Sequence, residues 1–343
     1  MLLKQDGLLR LGIVGSGQMA KEFKLISKLV KNITIITATD TIIKRAQKIV
    51  GKDHAYTDAQ KMYDNEDFDA VYIATPHNLH MSNIKQAFEN GKHILCEKPV
   101  AATLEDAREI NKLDKKYYSL KLGFNYQYRY DKNANNMIKG LNNKLLGDLY
   151  YFNCNIYFSR DLDYFKRGEW RTKKSVAGGG TLLIHGSHII DIIIWALGEP
   201  KSVIGKTATL KFKNIEVEDI GFGIIEFQKG ILGQINCSMI PQPQMRSESI
   251  DLAQLELFGE RGRLYYSCMW PSVLKWYGIA NSNVGENGKN NSYMTGCIEA
   301  FRDWILDDIP FYNTIEESSK VLRLITALYN SSETEKKEYV EKF

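Results

Sequence analysis

The first third of the chain alternates strand-like and helix-like periodicity, and a chain that does this repeatedly has few ways to fold. Leu8 to Val14 is an apolar run, Gln18 to Val30 sets Phe23, Ile26, Leu29 and Val30 at helical spacing, and Ile33 to Thr39 is β-branched. The pattern continues with a helix from Thr41 to Val50, a strand from Ala70 to Thr75, a helix from Leu79 to Asn90 ended by Gly91, and a strand from His93 to Cys96. Thr103 and Asp106 form a variant capping box for one more helix, ahead of a strand from Lys121 to Tyr126. Helical crossovers join parallel strands and cover both faces of the sheet, so this region predicts a doubly wound parallel α/β layer.

After residue 127 the grammar changes. Leu149–Ser159, Val203–Phe212, Gly221–Gln228, Ile231–Ser238 and Gln254–Phe258 read as strands, interrupted by one helix from Thr181 to Leu197. Strands that follow one another without crossovers predict a second, α+β domain with a large, mostly antiparallel open sheet. Helices over Gly296–Leu306 and Ile315–Asn330 close the chain, and the Gly/Asn-rich stretch Ala280–Ser292 reads as a loop. A length of 343 residues fits two domains, which we divide as 1–124 and 125–343.

Charge and cysteine usage narrow the partners. The 45 basic and 41 acidic residues leave a net charge of +4 with no block of one sign, so nucleic acid is not an expected partner. Ile189–Leu197, the most hydrophobic later stretch, is short and interrupted by Asp191, so no membrane span is expected. The five cysteines are odd in number, widely spaced and without a C-x-x-C pair, which fits a reducing cytoplasm and no metal site.

Gly15-Ser16-Gly17-Gln18-Met19-Ala20 lies between the first strand and the first helix and matches G-x-G-x-x-G/A. Gly15 allows the tight turn, Gly17 admits a pyrophosphate to the backbone, and Ala20 lets helix and strand pack closely. A purely structural glycine turn is the alternative. Asp40, at the end of the second strand, stands where an acid bonds the ribose 2′-hydroxyl, which favours NAD over NADP; the neighbouring Lys44 and Arg45 can soften that preference.

Three further segments, Ala74-Thr75-Pro76-His77-Asn78-Leu79-His80, Glu97-Lys98-Pro99, and Gly178-Gly179-Gly180 with His188-Ile189-Ile190-Asp191, complete a pattern that resembles the Gfo/Idh/MocA family of glucose-fructose oxidoreductase and inositol dehydrogenase relatives. Gly123-Phe124-Asn125-Tyr126 extends the resemblance across nearly the whole chain. It implies an N-terminal Rossmann domain, a homo-oligomer (dimer or tetramer) built through the second domain's open sheet, and NAD(P)-dependent redox chemistry on a sugar, inositol or nucleotide sugar. It also implies cofactor contacts from Gly15, Ser16, Gly17, Gln18, Met19, Asp40, Thr75, Pro76, Asn78, His80, Glu97, Lys98 and Gln127.

Alcohol oxidation by hydride transfer needs a cation beside the developing alkoxide and a proton acceptor. Lys98 is the candidate cation and His188 the candidate acceptor, and Asp191, three residues on, can orient the imidazole or hold a substrate hydroxyl. The alternatives are a solvated lysine and a hydrogen-bonded core histidine. The family commonly places an aspartate four residues before this histidine, and here that position is Ile184. His185 is adjacent to it but about 100° around a helix, so we assign it to substrate contact rather than to a relay. The departure leaves a second reading open, a catalytically impaired dinucleotide- and sugar-binding sensor.

Arg160–Lys174 carries six basic and three acidic residues, and Lys166, Arg167 and Arg171 are candidates to hold an anionic group such as a nucleotide-sugar diphosphate. The alternative is a solvated loop. Trp170, Tyr164, Tyr126 and Arg129 complete the candidate substrate contacts, with Trp170 and Tyr164 able to stack on a sugar ring.

Overall fold

The computed structural model describes residues 7–241, 251–269, 271–279 and 293–343. The predicted loop over Ala280–Ser292 lies outside the described residues. The chain divides into two compact units, one of Met1–Gln127 with Asn291–Ser319, the other of Tyr128–Asn290 with Lys320–Phe343. In this division Asn291–Ser319 clusters with the first unit.

The first unit holds a six-stranded sheet of β1 (Leu9–Val14), β2 (Ile33–Thr39), β3 (Ala55–Tyr56), β4 (Ala70–Ile73), β5 (His93–Cys96) and β6 (Leu122–Phe124), in the order β3-β2-β1-β4-β5-β6. Every pairing is parallel. This is the doubly wound order whose reversal beside β1 leaves a ligand crevice at the carboxyl ends of the strands. The crossovers are α1 (Gln18–Ser27), α2 (Ile43–Val50), α3 (Ala59–Asn65), α4 (His80–Glu89) and α5 (Leu104–Lys116). Local chemistry sets their starts. Asp58 caps α3 by accepting from the N–H groups of Gln60 and Lys61, and Thr103 caps α5 by accepting from Asp106 N at 3.1 Å. The α5 ends also suit its dipole, with Glu105 and Asp106 in the first turn and Lys115 and Lys116 in the last.

The second unit is built on an eight-stranded sheet of β7 (Leu149–Tyr157), β8 (Pro200–Ala208), β9 (Ile220–Phe227), β10 (Leu232–Ser238), β11 (Leu252–Gly259), β12 (Gly262–Ser267), β13 (Val273–Tyr277) and β14 (Glu338–Tyr339). Its order is β13-β12-β11-β7-β10-β9-β8-β14, and only β7 with β10 is parallel. The helices still to be placed are α6 (Lys132–Asn142), α7 (Leu162–Lys166), α8 (Lys174–Ala177), α9 (Ser187–Leu197), α10 (Tyr293–Asp307) and α11 (Ile315–Thr334).

Two differences from the sequence reading have clear causes. The strand expected over Val203–Phe212 runs over Pro200–Ala208, and it ends early because the buried Asp219 carboxylate accepts the N–H groups of Leu210, Lys211 and Phe212 at 2.9, 2.7 and 3.0 Å and turns the chain. The Asn-rich α6 is weak by propensity alone. It forms because Asp131 caps it at Ala134 N (3.1 Å) while accepting from Tyr266 and Ser272, and because Ala134 and Met137 are fully buried. The helical stretch Lys174–Leu197 is long and apolar enough to cross a membrane by length and composition, but 83% of its most apolar window is buried inside the fold. It is the core helix against which the second sheet packs its inner face.

Candidate functional site

In the first unit the turns after β1, β2, β4, β5 and β6 all emerge at the carboxyl edge of one parallel sheet, and the predicted cofactor residues lie in them or, for Gln18, Met19 and His80, in the first residues of α1 and α4. Gly15 has φ +88°, and a Cβ there would stand 2.8 Å from the Ala74 backbone, so glycine is required. Gly17 is different. A Cβ there meets nothing within 4 Å, yet this residue caps α1 with no side-chain hydrogen bond and no acid in the first turn. The open cradle and the uncapped helix start fit an incoming pyrophosphate. Asp40 Oδ2 accepts from Ser16 N and Oδ1 from Ile42 N, both at 2.9 Å, which ties the glycine turn to the acid. Arg45 reaches to 3.8 Å of Asp40 and is half exposed. Gln18 is exposed and bonded to Glu22, Met19 is half-buried, and Ser16 is buried with its hydroxyl on Thr39 O.

The turn after β4 carries Thr75, Pro76 and Asn78, of which Asn78 is exposed and Thr75 accepts from Asn83 at 3.1 Å. His80 is fully buried, with Nδ1 2.9 Å from Pro99 O and Nε2 3.1 Å from Thr75 O. It thus bridges two loops, and burial holds its pKa below the ordinary histidine value. After β5, Glu97 is buried and accepts from Tyr72 Oη, from Asn125 Nδ2 at 2.7 Å, and from Lys98 N at 3.3 Å. Burial raises the Glu97 pKa, against the pull of those donors and of Lys98. Lys98 itself is half-buried and precedes a cis bond to Pro99. Tyr126 is fully buried and its carbonyl accepts from Asn313 at 3.0 Å; Gln127 is half-buried.

In the second unit the triple-glycine run is explained by packing. A Cβ at Gly179 would overlap the Tyr329 hydroxyl, and one at Gly180 the Glu218 carbonyl oxygen. The buried Glu218 carboxylate accepts from Gly180 N (2.6 Å), Leu182 N (2.9 Å) and Tyr329 Oη (2.9 Å), so it anchors the start of the helix that bears both histidines. Burial raises the pKa of Glu218 and, with Glu218 beside it, carries that of Tyr329 well up. From Leu182 to Gly186 that helix is a π-turn, which then runs into α9. A π-turn is wider than an α-turn, so the side-chain offset around this segment departs from the α-helical value assumed for His185. Ile184 packs into an apolar cluster with Ala177 and Val217, against Trp170 and Ile215.

His188 is half-buried, with the Tyr128 ring 4.7 Å away. His185 is 8% exposed and stacks on Phe158 at 4.8 Å. Asp191 and Arg129, both expected to meet substrate, meet each other: the guanidinium Nε and Nη2 bond both carboxylate oxygens at 2.8–3.1 Å, with side-chain exposures of 1% and 2%. Trp170 and Arg171 stack on one another, 4.7 Å from cation to ring centroid. The sequence reading missed Glu218, Tyr329 and Tyr72, because each acts on a residue far along the chain and no spacing rule links them.

Two family comparisons match the two halves of the chain. Residues 9–122 match "Oxidoreductase family, NAD-binding Rossmann fold", and residues 136–265 match the GFO/IDH/MocA C-terminal domain. D-glucoside 3-dehydrogenase of Escherichia coli (strain K12) is 26% identical over 95% of this chain and 96% of that protein. Myo-inositol 2-dehydrogenase of Thermotoga maritima is 24% identical over 88% of this chain and 86% of its own. In fold, the WlbA dehydrogenase of Bordetella pertussis, solved in complex with NADH and UDP-GlcNAcA, superposes with TM-score 0.87 at 22% identity, covering 98% of this chain and all of that one. The chain belongs to the Gfo/Idh/MocA oxidoreductase family, with an NAD-binding Rossmann domain at its start.

Proposed function

We propose that this NAD-dependent oxidoreductase transfers a hydride to or from a secondary alcohol carbon of a sugar, an inositol or a nucleotide sugar. The observation that carries the proposal is the convergence of Gly17, Asp40, Thr75 and Lys98 on the carboxyl edge of one parallel sheet. The relatives support the substrate class, since they are named for glucoside, inositol and nucleotide-sugar substrates or ligands. NAD, when bound, supplies the hydride acceptor or donor. Gly15, its own N–H bonded to Thr39 O, makes the turn, Gly17 presents its backbone N–H to the pyrophosphate, and Asp40 takes the ribose hydroxyls.

In the oxidation direction His188 removes the hydroxyl proton and the Lys98 ammonium stabilises the alkoxide as it forms. Glu97, held by Tyr72 and Asn125, keeps the Lys98 backbone in place, and Glu218 does the same for the start of the helix of His188. The packing of Ile184 among apolar neighbours makes it a core residue of this helix, so His188 acts without a carboxylate at that position. We place the protein in the cytoplasm as a homo-oligomer. Five buried free thiols support the first, and the exposed Ile204, Phe222, Ile224 and Leu232 on the open face of the second sheet support the second.

The test follows NADH absorbance with NAD and a panel of sugars, inositols and UDP-sugars. On the best substrate, Lys98→Met and His188→Ala each lower turnover roughly 10²–10⁴-fold. Unchanged turnover in both variants defeats the assignment.

A further inference from the structure

We propose that Arg171, set on the rings of Tyr164 and Trp170, binds an anionic group, a carboxylate or a phosphate, carried by the sugar substrate. The proposal rests on the sugar-oxidoreductase reading above and narrows its substrate class. Six cations crowd Arg160–Lys174 in sequence, and the structure sorts them. Lys166 is exposed and committed to Asp163 at 2.8 Å, and Arg167 bonds the Asp163 carbonyl at 3.2 Å. Arg160 makes a two-pronged pair with Asp251 at 2.9 and 3.1 Å. Lys174 reaches Glu333 at 3.0 Å, and Lys173 is exposed.

Arg171 is held by two rings. Its guanidinium lies 4.7 Å from the Trp170 centroid and 5.1 Å from that of Tyr164, it is half-buried, and no carboxylate pairs with it among the described residues. Arg160 lies over the same Tyr164 ring at 5.3 Å. Two guanidinium groups therefore share one ring, and of the two it is Arg160 that pairs with Asp251. Within the same stretch Asp161 caps Tyr164 N at 2.9 Å and Asp163 pairs with Lys166.

Among the described residues no carboxylate neutralises Arg171, whose guanidinium bonds the Tyr164 side chain in a partly desolvated setting, where an oxyanion gains more than it would in open water. The planar fork of an arginine matches carboxylate and phosphate oxygens two at a time. Stacking between two aromatic side chains also fixes its orientation in advance, which lowers the ordering cost of binding. The same Tyr164 ring borders His185 at 5.6 Å, and His185 shares its helical segment with His188, so the cation belongs to the neighbourhood of the proposed proton acceptor.

Calorimetric titration of the full chain, with and without NAD, uses D-glucuronate, D-glucose 6-phosphate and uncharged D-glucose as probes. The wild type binds at least one anionic probe about tenfold or more tightly than glucose. Arg171→Gln weakens that probe roughly 10–100-fold, the range for a hydrogen-bonded charged partner, and leaves glucose unchanged. Arg171→Lys, which keeps the charge and loses the fork, falls between, and Arg167→Gln behaves as wild type. Equal binding of charged and neutral probes, no binding of the anionic probes, or an unchanged Arg171→Gln overturns the proposal. NADH fluorescence titration of the same proteins separates this outcome from failure of the oxidoreductase reading: loss of the anion preference with NADH binding intact sinks only the Arg171 proposal.

Discussion

Asp191→Asn separates a structural from a substrate-binding role for a residue that sequence assigns to substrate. In the fold its carboxylate accepts three guanidinium contacts from Arg129, and both side chains are at most 2% exposed. The amide keeps the shape and removes the charge, so buried Arg129 loses the carboxylate of Asp191. Breaking a buried pair from one side costs about 3–5 kcal/mol. At about 2–4 °C per kcal/mol for a unit of this size, the melting midpoint falls by roughly 6–20 °C. The Arg129→Met, Asp191→Leu double variant removes both charges and recovers most of that loss, because desolvation of the pair offsets much of its attraction. Melting of the full chain by circular dichroism, with sugar KM measured on the same proteins, reads the result. An Asp191→Asn midpoint within about 2 °C of wild type, together with a raised KM, would refute the reasoning and return Asp191 to the substrate.

Four other substitutions test the first unit. Gly17→Ala, whose Cβ meets nothing in the fold, leaves the melting midpoint unchanged while weakening NADH in a fluorescence titration; Gly15→Ala, at φ +88° and against the Ala74 backbone, destabilises the chain instead. Asp40→Ser shifts the ratio of NADH to NADPH affinity by about tenfold or more toward NADPH, since the acid that repels a 2′-phosphate is gone; an unchanged ratio removes Asp40 from the ribose site. Glu97→Gln tests the buried carboxyl. Its folded pKa is raised, so its contribution to stability is complete below the unfolded value of about 4.5 and is lost as pH rises through the folded value. The amide cannot ionise, so urea denaturation finds Glu97→Gln gaining on wild type as pH rises across that window, and a difference that does not change with pH contradicts it.

Much of this fold is legible in its sequence because local rules carry it. The run from Leu8 to Thr39 declares a βαβ unit by periodicity, and Thr103 marks the start of α5 by its side chain alone. What escapes is whatever depends on partners distant in sequence. Asp219 ends β8 early by accepting three N–H groups ahead of it, and α6 needs Asp131, Tyr266 and Ser272 to hold its start. The site shows the same division. Gly15, Gly17 and Asp40 announce themselves by spacing. The pairing of Arg129 with Asp191, the clamp of His80 on two carbonyls and the anchoring of Gly180 by Glu218 do not, since each joins residues that no short motif contains. The π-turn at Leu182–Gly186 is a further case, because it alters the angular offset that a helical reading assumes for His185.

The central claim is that His188 moves the substrate proton during NAD-dependent hydride transfer. The pH dependence of kcat/KM for sugar oxidation, compared between wild type and His188→Asn, tests it most directly. The account predicts that wild-type activity falls on the acid side as the imidazole takes up a proton, and that His188→Asn is slower by roughly 10²-fold or more and lacks that acid limb. An acid limb of the same position and depth in His188→Asn, at a rate near that of wild type, would contradict it.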